Sequence, residues 1–494
     1  MKKLFRMMLS AALLAMAVSI PAFAAENDVQ PTGAAPERQG DFYVLVNGEY
    51  VTFTDAVPQI KDSRSCLPFV AVFEQLGFAE DAMTWDADTQ TVTATKDGES
   101  IQLTIGKKEI TLFTTEESGG VSVESGKTTP TDVAPYIDPA TNRTYVPFGL
   151  VADALGYKVG WDAAEKAVII DDVDSILAAN TATYELMDKY MDYSKTYTEK
   201  NQKVTGSYTM TMDMDMKTAG ENAALKYDVK GDYNMITAGA TAFQFDTDMV
   251  MDMSMMENGT DITDTALADS GMKFPLTIDM DMRGDMDTGL FYFQSAALAQ
   301  LMEQPDMASA WYKVDLAALF DQVGAALGMD YASLLKLSSA SLDQSFADTL
   351  ADMLRVMPVT SVNATTSDYL AMLNASMADS AFKKSGTSYV SNMEEDGAKM
   401  TFTLTTNGSK VNGYSIEMTA ADPTFGEVKM TCAMKGNKMD MNMSMNMKMD
   451  AGDTSMDLSL NMDMDGTYQS TSSKPAVEPP ANAAIVDLLS LMGA

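Results

Sequence analysis

The sequence predicts an α+β protein, a small module built on an internal repeat followed by a large antiparallel sheet packed on helices. Three observations predict it. Two stretches in the first third spell the same pattern of arginine, proline-phenylalanine, leucine-glycine and tryptophan-aspartate. Downstream, methionine alternates with aspartate, threonine, asparagine or serine over many segments, the period of strands with one dry and one wet face. Between two groups of such segments, apolar residues recur at helical spacing.

The chain opens with Lys2, Lys3 and Arg6, an apolar run from Met7 to Ile20, and the small-x-small end Ala22-Phe23-Ala24. Residues 1–24 therefore read as a secretory signal peptide, which predicts a secreted, extracytoplasmic protein of the cell envelope. No later segment holds roughly 20 uninterrupted apolar residues, so the chain is not expected to span a membrane. With no cysteine at the cleavage site and no sortase-type tail, no lipid or sortase anchor is expected. Residues 25–40 are polar and bear Pro and Gly, the composition of a disordered linker.

The formal charge of −36 becomes −39 once the three signal cations leave. Such a field repels phosphate backbones, so no nucleic-acid partner is expected. There is no histidine, which removes the usual general base, the usual Cu(II) and Zn(II) ligand and every histidine-dependent triad. The expectation is a protein that is not an enzyme and holds no cofactor. Cys66 and Cys432 lie far apart in the chain, and each reads as a buried thiol in its own domain rather than half of a disulfide.

Residues 41–172 hold the repeat. Arg64-Ser-Cys-Leu-Pro-Phe-Val-Ala-Val-Phe-Glu-Gln-Leu-Gly-Phe78 aligns with Arg143-Thr-Tyr-Val-Pro-Phe-Gly-Leu-Val-Ala-Asp-Ala-Leu-Gly-Tyr157, and Trp85-Asp86 matches Trp161-Asp162. Pro68 suits the first turn of a short helix, Val72, Phe73 and Leu76 form its apolar stripe, and Gly77 ends it in a left-handed cap. The Trp-Asp pairs open hairpins, with both tryptophans expected to be largely buried against those helices. Arg64, Arg143, Asp86 and Asp162 repeat at equivalent positions, which points to turn and cap roles rather than a site. Ahead of the first copy, Asn47-Gly48 between Phe42–Val46 and Tyr50–Phe53 is a type I′ hairpin signal.

These residues resemble the copper amine oxidase N-terminal (stalk-like) domain found on secreted bacterial proteins. The V-x-V-N-G opening, the R-x-x-x-P-F block, the L-G end and the W-D pair carry the resemblance over about 130 residues. It implies a small stalk-like α+β envelope module. Amine oxidase catalysis belongs to a separate domain with three histidine copper ligands, and this chain has no histidine. Cys66 departs from the aliphatic residue usual there and reads as a buried hydrophobe.

Residues 173–470 make the second domain. Val173, Ile176, Leu177, Tyr184, Met187 and Met191 predict one long helix over 173–202, with Asp171 or Asp172 as N-cap. Strands follow. Tyr208, Met210, Met212, Met214 and Met216 share one face, and Thr209, Thr211, Asp213, Asp215 and Lys217 the other. The pattern recurs in Phe243–Met255, Leu276–Met282, Met400–Leu404, Tyr414–Met418, Val428–Met434, Met439–Met449 and Met456–Met464. Residues 294–384 read as helical, with stripes Leu316, Leu319, Phe320, Val323, Leu327 and Phe346, Leu350, Met353, Leu354, around a short strand at Trp311–Val314. Residues 471–494 form a Pro/Ser-rich tail ending in the apolar segment Ile485–Met492.

The order helix, meander, helices, meander resembles the LolA/LppX-like lipoprotein-carrier fold. That resemblance implies an antiparallel half-barrel sheet wrapped on helices, with a lipid-binding cavity between them.

Methionine makes up 43 of the 494 residues, and its face admits several readings. It can be plain core. It can be a pliable apolar wall for a lipid or other hydrophobic small molecule, with Met212, Met214, Met441, Met443, Met445 and Met447 as candidate cavity residues facing the helices of 294–384. It can hold Cu(I) through soft thioethers, for which Met430, Cys432 and Met434 are the candidate, although a buried free cysteine is the plainer account; residues two apart on a strand need cross-strand partners to chelate. Oxidant scavenging through sulfoxide formation is a residual possibility. Asp213, Asp215, Asp279, Asp281, Asp440, Asp450, Asp463 and Asp465 read as a solvated face that blocks aggregation. Asn461–Gly466 matches the start of a calcium loop, but Ser472 stands where the bidentate Glu is needed.

The function expected is a non-enzymatic envelope protein that binds a hydrophobic or lipid ligand in a methionine-lined cavity. The alternatives are a structural or adhesive surface protein attached through the stalk-like domain to a cell-wall or surface component, and a Cu(I)-binding envelope protein.

Overall fold

The structure, a computed structural model, describes residues 36–118, 121–218, 221–239, 241–268, 273–301, 307–320, 331–332, 344–395, 398–422, 426–451 and 454–488. The expected signal peptide, most of the linker, Val323, Leu327 and the last residues of the tail lie outside them. Two compact units emerge. Unit 1 comprises Met1–Ala179 with Val359–Leu370, and unit 2 comprises Asn180–Pro358 with Ala371–Ala494.

Among the described residues, unit 1 contains three small sheets. In one, Arg64–Pro68 pairs antiparallel with Thr144–Pro147 so that Leu67 faces Val146. Those two positions are equivalent in the repeat, so its copies meet about a local twofold. Each strand runs directly into a helix, Phe69–Gln75 or Phe148–Ala154. Both helices end as the glycines predict. Gly77 has φ +83° and Gly156 φ +76°, and the amides of Phe78 and Tyr157 bond back to the carbonyls of Phe73 and Ala152 at 3.0 and 2.9 Å, the closure of a Schellman cap. Asn47 and Gly48 both take positive φ, 53° and 85°, as a type I′ turn requires. The core gathers Phe69, Val72, Phe73 and Leu76 with Phe148 and Val151 from the other copy.

The repeated polar residues occupy matching structural roles. Arg64 pairs with Asp132 and Arg143 with Asp55. Asp86 accepts the amides of Asp88 and Thr89, and Asp162 those of Ala164 and Glu165, each closing a hairpin turn. The tryptophans depart from expectation: Trp85 and Trp161 are each 44% exposed. They lie on edge strands, Met83–Asp86 and Lys158–Asp162. Phenylalanines and valines already fill the inner faces of the two helices, which leaves the indoles outside. Trp161 keeps an edge-on contact with Phe42 at 6.0 Å.

Unit 1 also contains a segment that sequence periodicity groups with the second domain. Val359 and Val362 join Leu45, Ala167 and Ile169 in one apolar cluster. The Val362 amide donates to Asp162 at 3.0 Å and the Thr366 amide to Asp171 at 2.7 Å. The Ser367 hydroxyl donates to the Asn47 carbonyl at 3.0 Å. Gly160 admits the Val359 carbonyl where a Cβ would stand 1.9 Å from its oxygen.

The single helix expected over 173–202 is two helices, Val173–Ala179 and Glu185–Thr198. Asp172 caps the first, accepting the Ser175 amide at 3.0 Å. The break falls at Asn180, whose side chain accepts the Ala182 amide, a local bond that competes with helix. The second helix then begins on a cap remote in sequence, as Asp379 accepts the amides of Glu185 and Leu186 at 3.0 and 2.9 Å and the Thr183 hydroxyl at 2.8 Å.

Among the described residues, unit 2 is dominated by one 15-stranded, curled half-barrel sheet. One meander runs from Lys383–Ser385 to Thr454–Ser470, and the other from Gln202–Thr218 to Trp311–Asp315. They join where Thr454–Ser470 pairs antiparallel with Gln202–Thr218. Every expected strand is present, and Glu221–Ala238, Leu290–Gln294 and Ser388–Glu395 are additional. From the tail, Ile485–Asp487 adds parallel to Trp311–Asp315 at the sheet edge. Asn461–Gly466 lies inside a continuous strand, so it forms no calcium loop. The helix Phe346–Val356 buries Leu350 and Leu354.

Candidate functional site: the sulfur-rich face of the sheet

Strand register aligns the methionines across the sheet as well as along it. Met393, Met400, Met418, Met430, Met443, Met462, Met210, Val229, Met251 and Leu276 oppose one another in turn across adjacent strands. Because side chains alternate, this row and its neighbours two residues away lie on one face. Asp213, Asp215, Asp440 and Asp463 are exposed on the other.

The candidate residues from the sequence lie on the methionine face. Met212 stands across from Leu460 and Tyr227, and Met214 from Leu458 and Leu225. Met441 faces Cys432 and Met464, Met443 faces Met430 and Met462, Met445 faces Val428 and Leu460, and Met447 faces Leu458. All six are half-buried. Toward that end the face opens to solvent: Met216 is 39% and Met449 42% exposed. Of the proposed metal trio, Met434 is buried, while Met430 and Cys432 are half-buried.

The helix Glu185–Thr198 covers the opposite end. Tyr190, Tyr193 and Tyr197 recur at helical spacing along it. Tyr190 meets Phe402 and Tyr414 edge-on at 5.5 and 5.2 Å, and Tyr197 meets Tyr468 at 5.4 Å. The Tyr193 hydroxyl anchors the helix by donating to the Gly436 carbonyl at 2.7 Å. Beside this aromatic seam lies a cleft of about 400 Å³, lined by Met235, Phe243, Met286, Tyr414, Met434 and Tyr468 with Ser194, Tyr197 and several threonines. Its walls come from both meanders and the helix. None of the six candidate cavity methionines lines it.

Gly466 admits a second ring near the cleft. A Cβ there would stand 2.6 Å from the Tyr233 hydroxyl, which donates to the Asp465 carbonyl at 2.8 Å. Tyr233 is stacked on Phe245 at 5.4 Å.

The electrostatics are those of a dry wall. Burial pushes the Tyr414 and Tyr468 phenols up from their usual range, so both remain neutral donors. Burial likewise raises the Cys432 thiol, against a hydrogen bond with Tyr414 that lowers it. In unit 1, burial pushes the Cys66 thiol up to about 11. Both cysteines are free. The cleft thus offers apolar walls and neutral hydroxyls, and the Cys432 thiol lies outside its lining on the same sheet face.

Of the cleft residues the sequence singled out Met434 alone, as a candidate metal ligand rather than as a cleft wall. Tyr414 and Tyr468 have the same strand parity as the methionines, and the helical spacing of Tyr190, Tyr193 and Tyr197 was a usable signal. Met235 and Phe243 required the strand pairing, and Met286 a turn.

With this geometry in hand, comparison with known proteins bears on unit 1. Residues 45–170 match the copper amine oxidase N-terminal domain. A second match to the same family runs over 123–210. This supports the N-terminal module expected from the repeat. No curated protein matches the chain. Among solved structures, one titled "lipid-protein interactions in lipovitellin" is similar at 7% identity and a TM-score of 0.19, over 57% of this chain and 26% of that one. The likeness spans about a quarter of that lipovitellin chain and is too low to bear on fold or ligand. Among the described residues no helix is long and apolar enough to cross a membrane.

Proposed function

We propose that this chain is an exported, non-enzymatic envelope protein whose large domain binds a hydrophobic ligand with an acyl chain, in the manner of the LolA/LppX-like carriers its element order resembles. The observation that carries this reading is the cleft of about 400 Å³ between helix Glu185–Thr198 and the sheet, walled by Met235, Phe243, Met286, Tyr414, Met434 and Tyr468. Its size and its apolar walls with a few hydroxyls suit a small-molecule site. Methionine walls reshape around chains of different length at little cost. Export rests on the n-region, apolar run and Ala22-Phe23-Ala24 of the first 24 residues, and the module of 45–170 is non-catalytic in the proteins that carry it.

A fluorescent fatty-acid displacement titration on the mature protein tests the reading. Binding should saturate, resist salt, and fall on Phe243→Asp or Met235→Asp but not on Asp463→Asn on the wet face. Absence of saturable binding would return the methionines to ordinary core. A second reading, attachment to the cell surface through unit 1, is favoured by the half-exposed Trp85 and Trp161 at equivalent places in the repeat. Retention of the mature chain on isolated cell walls, lost in the double Trp→Ala variant, would support it.

A further inference from the structure

Beside the cleft, six sulfur side chains occupy two adjacent rows on three neighbouring strands. Cys432 stands across from Met441 and Met441 from Met464; Met430 stands across from Met443 and Met443 from Met462. All six are half-buried, within reach of solvent and of the cleft through Met434. Directly opposed residues lie about 5 Å apart and same-face neighbours along a strand about 6.5–7 Å apart. Met430, Cys432, Met441 and Met443 therefore form the corners of a small rectangle with four sulfurs rising from it. The rotatable bonds of methionine allow its thioethers to lean inward to metal–sulfur distances of about 2.3 Å.

We infer that Met430, Cys432, Met441 and Met443 form a binding site for a monovalent soft metal ion, Cu(I) or its analogue Ag(I). Thiolate and thioether donors select such ions. Among the described residues no group of three Cys, Asp or Glu side chains converges as a cage for a harder cation. Charge balance discriminates further. The thiol gives up its proton as the sulfur–metal bond forms, so protein–SH and Cu(I) become protein–S–Cu(I) and a free proton. The occupied site is neutral overall and suits a dry face. A divalent ion in its place would leave one uncompensated positive charge in apolar surroundings, which is costly. Tyr414 on the neighbouring strand and Tyr190 on the helix pack edge-on at 5.2 Å beside the site. One row away the Tyr468 hydroxyl donates to the Met439 sulfur at 3.7 Å, so a thioether on this face already serves as an electron-pair donor to a polar partner.

The test is anaerobic Cu(I) titration of the full mature chain against a chromophoric Cu(I) chelator, with Ag(I) loading followed by native mass spectrometry. The expected result is one ion per chain, one proton released per ion and no competition from Zn(II). Copper absorption spectra should show sulfur-only coordination. Cys432→Ser and the near-isosteric Met441→Leu should each weaken binding by about tenfold or more, at least the loss seen when a supporting contact is removed. Cys66→Ser in unit 1 should leave it unchanged. No retained ion, undiminished binding in both Cys432→Ser and Met441→Leu, or binding lost in Cys66→Ser would overturn the inference. Because Met441→Leu keeps the wall apolar, the metal result and the fatty-acid result can fail separately.

Discussion

Replacing Gly160 with alanine tests whether Val359–Leu370 holds unit 1 together. The new Cβ would stand 1.9 Å from the Val359 oxygen and 2.8 Å from its carbonyl carbon. Restoring the 3.4 Å at which ordinary contact begins requires a displacement of about 1.5 Å. Both partners are backbone, so no side chain can swing aside. The shift stretches the Val362 amide bond to Asp162 from 3.0 Å and the Thr366 amide bond to Asp171 from 2.7 Å, and lifts Val359 and Val362, now 6% and 5% exposed. Overpacking alone costs about 1–3 kcal/mol. Full detachment would forfeit roughly 1.5–2 kcal/mol per valine and about 1.5 kcal/mol per carboxylate hydrogen bond. The expected loss lies between these limits, at about 2–5 kcal/mol. Urea unfolding followed by tryptophan fluorescence reads it, since Trp161 is the next residue. Hydrogen exchange at Val362 and Thr366 should accelerate in step. Stability within about 0.5 kcal/mol of the parent, the range of an ordinary surface substitution, with unchanged exchange at both amides would refute the argument.

Asp379→Ala should cost about 1–2 kcal/mol as a lost helix cap and weaken fatty-acid binding, because helix Glu185–Thr198 forms one wall of the cleft. The Asp379 carboxyl is held below its usual range: burial alone would raise it, but the Leu186 amide, Thr183 hydroxyl and Glu185 amide together outweigh that. Its contribution is therefore present above the ordinary aspartate range and lost as pH falls through the folded value, and calorimetry from pH 7 down to about 3 should show this acid loss flattened in the variant. Asp246 is the opposite case, raised by burial and then by Asp281, which faces it across the strands. Asp246→Asn should stabilise the protein at neutral pH by up to about 1 kcal/mol and have no effect in acid, where the parent carboxyl is already protonated; an equal gain at both ends of a pH series of melting curves would count against charge as the cause. Trp161→Ala should cost only roughly 1–2 kcal/mol, well short of full aromatic burial, and Trp85→Ala no more, as read by thermal unfolding.

What the sequence determined by itself is what depends on local period and backbone chemistry. The repeat was readable because Pro68, Gly77 and Asn47-Gly48 each demand a particular φ or cap wherever the chain goes. The methionine strands were readable because a one-residue slip would place aspartates on the dry face, so alternation assigns each side chain to a face before any partner strand is known. Three things required the tertiary structure. The helix at 173–202 breaks at Asn180 and restarts where Asp379, remote in the chain, supplies the second N-cap, and helical periodicity cannot register a distant cap. The tryptophans face outward because the other residues of the repeat already fill the space beneath them, and a hydrophobic pattern does not report available volume. The cleft, and the rectangle of Met430, Cys432, Met441 and Met443, arise from strand order and register between segments far apart in the chain, and those pairings are settled by the packing of the whole sheet rather than by any one strand.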